Sequence, residues 1–119
     1  MSNSTSIWQV PNPWVVGAHR LDADGNPSGG STHGLGIVIN WQDGPLGRGE
    51  DRKQPNGAFV EGVLYAALDR LNFYQNASDG KFRCRQNALA ITKIEEAIHW
   101  LNDRTREREE REVEGTHTV

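Results

Sequence analysis

Residues 81–114, KFRCRQNALAITKIEEAIHWLNDRTREREEREVE, contain neither Gly nor Pro. Those two residues most readily end a helix, and good helix formers fill the rest, so the stretch predicts one long helix. Ile91, Ile94, Ile98 and Leu101 recur at helical spacing, with Ala90 and Ala97 beside them, and mark a face that seeks burial. Followed toward either end, that face turns polar. Asn87 lies one turn before it, and Arg104, Thr105 and Arg108 follow it. A dry middle with hydrogen-bonding ends suits ordinary core packing first, where Arg near a helix C-terminus complements the dipole, and only then a ligand site.

A long helix with one apolar stripe needs a partner. Residues 58–76 supply one: Val60, Leu64, Ala67, Leu71 and Tyr74 form a second stripe, widened by Val63 and Leu68. Residues 76–80, NASDG, are a short polar turn with a helix-ending Gly, so the two helices make an antiparallel hairpin. Upstream, the period changes. A first strand begins at Trp14-Val15-Val16 and reaches about residue 21. Residues 22–30, DADGNPSGG, read as a turn, and a second strand spans 34–42, where Ile37, Ile39 and Trp41 alternate with Val38, Asn40 and Gln42. Two strands alone are marginal, so they must pack on the helices or pair with further strands, including those of a partner chain. Residues 1–11 read as an arm or short edge strand, broken by Pro11-Asn12-Pro13. Residues 43–57 form a loop with four Gly and two Pro, long enough to suggest a function of its own. The expected fold class is α+β: a small N-terminal antiparallel β-sheet (residues 1–56, with the loop) packed with a long C-terminal helical hairpin (residues 57–119, with a short tail).

Composition bounds the partners. An apolar fraction of 35% is thin for a self-sufficient core, so the stripes are expected to complete their burial in a homo-oligomer. A formal net charge of −3 argues against binding nucleic acid polymers, which calls for a basic footprint. Ten Arg stand against three Lys, however, and Arg is the planar, bidentate phosphate ligand, so a small phosphorylated ligand fits. The single cysteine, Cys84, allows no intrachain disulfide and no C-x-x-C knuckle. Neither a signal peptide nor a membrane span is evident, and a reducing cytoplasm is expected.

No catalytic constellation stands out. His19, His33, His99 and His117 are scattered without metal-ligand spacing, and neither a metal nor another cofactor is expected. Glu95 and Glu96 are adjacent on a helix and point about 100° apart, as a solvated face does. The Gly-rich stretches at 34–36 and 44–49 lack the Lys of a P-loop. Two groups of side chains do suggest binding. Arg104 and Arg108 lie one turn apart on one face, within reach of one anion, whereas Arg106 and Arg111 interleave with Glu. Phe73 and Tyr74 can stack a base, or simply pack in the core. Asn87 and Arg108, both in the long helix, are separated by about 32 Å at 1.5 Å per residue. If both belong to one pocket for a mononucleotide-sized ligand, the pocket lies between protomers.

Cys84-Arg85, Asn87, Arg104, Arg108 and Glu114-Gly115-Thr116 make a specific pattern across residues 57–119. In that pattern the chain resembles the helical hairpin domain shared by phage Thoeris anti-defence and anti-CBASS "sponge" proteins. INWQDGPLG at 39–47 is similar to the Thoeris anti-defence branch. The resemblance implies a non-enzymatic counter-defence protein acting in the host bacterium's cytoplasm. Such a protein binds cyclic ADP-ribose isomers made by TIR-domain enzymes and holds them intact. Some relatives also take cyclic di- or trinucleotides of CBASS at separate sites between subunits, in assemblies from dimers to hexamers. Carried across by motif, the ligand-binding residues are Phe73 or Tyr74, Asn87, Arg104 and Arg108. The chain departs from the family pattern at Phe73-Tyr74-Gln75, where the family often reads aromatic-Phe-Gln, and in a longer turn at 76–80. The alternative is a structural or protein-interaction hairpin without a small-molecule ligand. A hydrolase of the same nucleotides is a third reading.

Overall fold

The computed structural model describes residues 14–119; the arm and the Pro-x-Pro break expected at residues 1–13 lie outside the described residues. Three strands form an antiparallel sheet in the order β1 (Val15–Leu21), β2 (Pro27–Gly34) and β3 (Ile37–Asn40). Asp22 makes the first turn. Its carboxylate accepts from the backbone N–H groups of Asp24 and Asn26, each at 2.9 Å, and its own N–H donates to the Asn26 carbonyl at 2.9 Å. Such Asx bonding is the usual reason Asp opens a turn. Leu35 and Gly36 make the second, with Gly36 in the left-handed region at φ 77° that a two-residue hairpin demands.

The middle strand is a correction to the two-strand expectation. Residues 27–30 read as turn chemistry, because Pro-Ser-Gly-Gly carries no strand propensity. The glycines are there for approach: a Cβ on Gly30 would run into the Ala18 carbonyl oxygen, and one on Gly34 into that of Trp14. Pro27 is tolerated at the first position of its strand. The strand expected over 34–42 is also divided. Gly34 closes β2, Ile37–Asn40 pairs with β2, and Trp41 forms an isolated parallel bridge with Ala58. Register shifts between His19 and Leu21, the mark of a bulge at Arg20.

The chain divides into two compact units. The first holds the sheet, runs on to Leu46 and takes in Lys53–Ala58; the second comprises Gly47–Arg52 and Phe59–Val119. The middle of the long loop thus belongs with the helices, where Gly49–Asp51 forms a single 3-10 turn.

In the second unit α1 (Val60–Gly80) and α2 (Arg85–Glu110) pack as a hairpin, so the fold class is α+β as expected. Regular helix in α1 ends at Asn76, since Ala77, Ser78 and Asp79 leave helical geometry, and Ser78 and Asp79 have φ of 51° and 57°. The polar turn therefore sits where NASDG placed it. The long helix is trimmed at both ends relative to residues 81–114. Cys84 caps its start, its Sγ accepting from the Asn87 N–H at 3.4 Å. Its end is a Schellman turn: the Val113 N–H donates to the Arg108 carbonyl at 3.0 Å and the Glu112 N–H to that of Glu109 at 2.9 Å. Glu112 takes the left-handed position there, φ 58°, where Gly is the usual occupant.

Burial is sparse. Among the described residues only Ile98 and Arg108 are buried, each 6% exposed. Ile91, Ile94 and Leu101 on α2, and Leu64, Leu68 and Leu71 on α1, are half-buried at the hairpin seam. Val16 (63%) and Val38 (74%) flank His33 on one face of the sheet and stay exposed. No helix among the described residues is long and apolar enough to cross a membrane.

Candidate functional site

The C-terminal third of α1 presents two aromatic rings. Phe73 and Tyr74 are 53% and 40% exposed, with ring centroids 5.9 Å apart and planes tilted by 56°. Neither is a core residue, so both rings are open to the base stacking expected of one of them. The Arg70 guanidinium, one helical turn earlier, lies 4.8 Å from the Phe73 centroid and 4.9 Å from that of Tyr74.

Across the hairpin turn, Gln75 ties this aromatic segment to the start of α2. Its side-chain Nε2 donates to the Cys84 carbonyl at 3.1 Å while its Oε1 accepts from the Cys84 N–H at 3.0 Å. Arg83 Nε closes the turn by donating to the Gln75 carbonyl at 3.1 Å. One amide side chain thus satisfies both polar groups of one residue, and that residue is the cap on which Asn87 sits. Asn87 is half-buried in the first turn of α2.

The arginines at the far end of α2 do unlike things. Arg106 is an ion-paired surface residue, 2.6 Å from Asp103 and 2.7 Å from Glu110. The Asp103 hydrogen bond, and then the charges of Asp103 and Glu110, hold its guanidinium above its ordinary range. Arg111 pairs with Glu107 in the same manner. Arg104 is exposed. Arg108 is not: its Nη1 donates to the Thr118 carbonyl at 2.6 Å, and its Nη2 to the carbonyls of Val113 (3.0 Å) and Thr116 (3.1 Å). Its Nε stands 3.6 Å from the Glu114 carboxylate. The tail is wrapped on this guanidinium. Arg104 and Arg108 share a helix face as their spacing predicts, but within one protomer they do not present two open guanidinium groups to one anion.

The tail also holds the middle of the long loop. Arg48 Nη1 donates to Glu109 Oε1 (2.9 Å) and to the Glu114 carbonyl (2.8 Å), and the Gly47 N–H donates to the Gly115 carbonyl at 2.8 Å. Gly115 has φ 84°, and a Cβ there would collide with the Gly47 carbonyl oxygen. Sequence pattern does not single out Arg48, Gly47 or Gln75. Gln75 is visible only as the residue that follows the aromatic pair, and Arg48 carries no local signal at all, because its partners lie 61 and 66 residues away.

The sheet unit has its own polar cleft, lined by His19, Arg20, Ser31, Asn40 and Trp41, with Asp43 and Asn56 beside it. Its wall is well bonded. Ser28 Oγ donates to Asp43 Oδ1 (2.9 Å), the Asp43 N–H to Asn56 Oδ1 (2.8 Å), and Trp41 Nε1 to Thr32 Oγ1 (2.8 Å). Among the described residues no three His, Cys, Asp or Glu side chains converge as metal ligands.

Residues 35–106 match the family described as Acb2/Tad1, hairpin domain. A Bacillus phage SBSphiJ7 protein named Thoeris anti-defense 1 is 47% identical over 80 residues, which cover 67% of this chain and 51% of that protein. The chain therefore spans about half the length of the relative it matches.

Proposed function

The chain belongs to the Acb2/Tad1 hairpin-domain family, and from that membership we propose a phage counter-defence protein that works by sequestration. It binds cyclic ADP-ribose isomers made by TIR-domain enzymes, in the cytoplasm of the infected bacterium, and does not cut them. The observation that carries this reading is the joint one of family and surface. The match to Thoeris anti-defense 1 accompanies a hairpin that displays Phe73 and Tyr74 to solvent beside the cap of Asn87. A cyclic ADP-ribose isomer offers an adenine face for a ring, ribose hydroxyls for an amide and a pyrophosphate for guanidinium groups. Phe73 or Tyr74, Asn87 and Arg104 are the proposed contacts, and Arg108 contributes through the tail it organises. Because Asn87 and Arg104 lie seventeen positions apart, about 25 Å along the helix, one ligand meets both only where protomers adjoin. The assembly is accordingly a homo-oligomer, between dimer and hexamer. The polar cleft of the sheet unit, with Arg20 as its cation, supports a separate site for CBASS cyclic di- or trinucleotides.

A second reading, a protein-interaction hairpin with no small-molecule ligand, draws on one observation: Arg108 is committed to the tail. One experiment separates the readings. The protein is incubated with a TIR-derived cyclic ADP-ribose isomer, stripped of free ligand and heat-denatured, and the supernatant is analysed. Sequestration returns the ligand at its original retention time and able to activate the host effector. An interaction module returns nothing, and an enzyme returns product when protein is substoichiometric. Holding a signal against a competing sensor calls for a dissociation constant near nanomolar, about −12 kcal/mol.

A further inference from the structure

Ten arginines are unevenly engaged. In the helical unit Arg48, Arg83, Arg106, Arg108 and Arg111 give their guanidinium groups to carbonyls or carboxylates, whereas those of Arg52, Arg70, Arg85 and Arg104 have no hydrogen bond or ion pair among the described residues. Only Arg70 of these four has a ring contact, and it has two, at 4.8 and 4.9 Å. Positions three and four residues apart share a helix face, so Arg70, Phe73 and Tyr74 form one exposed cluster on one turn of α1. A guanidinium beside aromatic rings gains a cation–π attraction that uses none of its N–H donors, and those of Arg70 have no acceptor among the described residues. The rings thereby favour its position without using the donors that grip a phosphate, which lowers the freedom it gives up when an anion arrives.

We propose that Arg70 is the phosphate-contacting arginine of the proposed site, receiving the pyrophosphate of the ligand whose base stacks on Phe73 or Tyr74. The proposal rests on the sequestration reading and adds to it a residue that is not among those carried across by the family resemblance. It also relieves a difficulty, because the donors of Arg108 are already directed at Thr118, Val113 and Thr116. A cation and two aromatic faces on a single turn suit a ligand that joins a purine to a phosphate at short range, and a ligand lacking either half meets only part of the cluster.

The test compares wild type, Arg70→Gln, Arg70→Lys and Arg106→Gln, each checked for unchanged far-UV dichroism and native mass. Calorimetry with a cyclic ADP-ribose isomer gives the affinity, and phosphorus NMR of the saturated complex gives the environment of the pyrophosphate. Arg70→Gln should weaken binding about 10- to 100-fold, the loss expected for a charge-assisted contact. Its bound phosphorus signals should also move toward those of free ligand. Arg70→Lys should recover part of both effects, and Arg106→Gln should show neither. If wild type binds the isomer and Arg70→Gln binds it equally well with unchanged phosphorus shifts, the proposal is overturned while sequestration stands. If Arg70→Gln alters the native mass and leaves the phosphorus shifts alone, the cluster is a protomer contact and the proposal is likewise overturned. If wild type binds no isomer, the sequestration reading fails and takes the proposal with it.

Discussion

Arg108 and Arg106 are two residues apart and chemically identical, yet they differ in what surrounds them. Arg108 is 6% exposed and holds three tail carbonyls, with the Glu114 carboxylate beside it. Arg106 meets carboxylates in open solvent. Removing one partner of a buried ion pair leaves the other uncompensated, at a cost of roughly 3–5 kcal/mol, whereas exposed pairs contribute little. We therefore expect Arg108→Gln to lower the urea midpoint clearly and to expose the amides of residues 113–118 to hydrogen exchange, while Arg106→Gln changes neither. Equal midpoints for the two variants would show that the tail is not held by this side chain. Sequence pattern placed Arg108 correctly on the long helix and on the face of Arg104. It did not show the occupant of that face, because Val113, Thr116 and Thr118 offer backbone carbonyls, which no residue type announces.

At the level of elements, both helices were legible in periodicity, and so was the turn between them, because Gly80 and the polar run at 76–79 interrupt the pattern where geometry breaks. β2 was not. Its Ser, Gly and Thr residues fit a strand only because β1 and β3 flank them, and a strand made by its neighbours leaves no local trace. The Gln75–Cys84 bond pair yields a second test at this scale. In Gln75→Glu the carboxylate keeps an acceptor for the Cys84 N–H but turns an unprotonated oxygen toward the Cys84 carbonyl. That repulsion favours the protonated form in the folded state and so raises the folded pKa of the introduced carboxyl above its unfolded value of about 4.3. By linkage, the variant's deficit is small below that unfolded value and grows as pH rises through the folded one. We expect the stability gap between wild type and Gln75→Glu, read from thermal melts, to be about 1–2 kcal/mol at pH 7 and to narrow toward pH 4. Should the gap stay constant with pH, the amide is a packing group and not a two-way bond. Glu112 offers a third test: exchanging it for Gly removes an L-residue from left-handed backbone and should stabilise the helix end by about 1 kcal/mol, read as a higher urea midpoint.

For the molecule as a whole, burial is the governing fact. With only Ile98 and Arg108 buried among the described residues, and Val16, Val38, Trp100 and Leu89 all exposed, each unit keeps apolar surface that a lone chain leaves in water. The 35% apolar composition already pointed that way, although composition cannot say which surfaces remain open. We expect native mass spectrometry or light scattering at micromolar protein to find at least a dimer. A monomer at that concentration would remove the ground for a site shared between protomers.

The bonds from Arg48 to Glu109 and Glu114 join positions 61 and 66 residues apart. Ribosomes add about 5–20 residues per second, so Arg48 is synthesised several seconds before its partners. The sheet's hairpins can form in that interval from contacts near in sequence, but the 3-10 turn at Gly49–Asp51 has nothing to dock on. For the growing chain, then, this loop is the first part of the helical unit to appear and the last to find its place. A finished helical unit therefore exists only when translation has reached the tail.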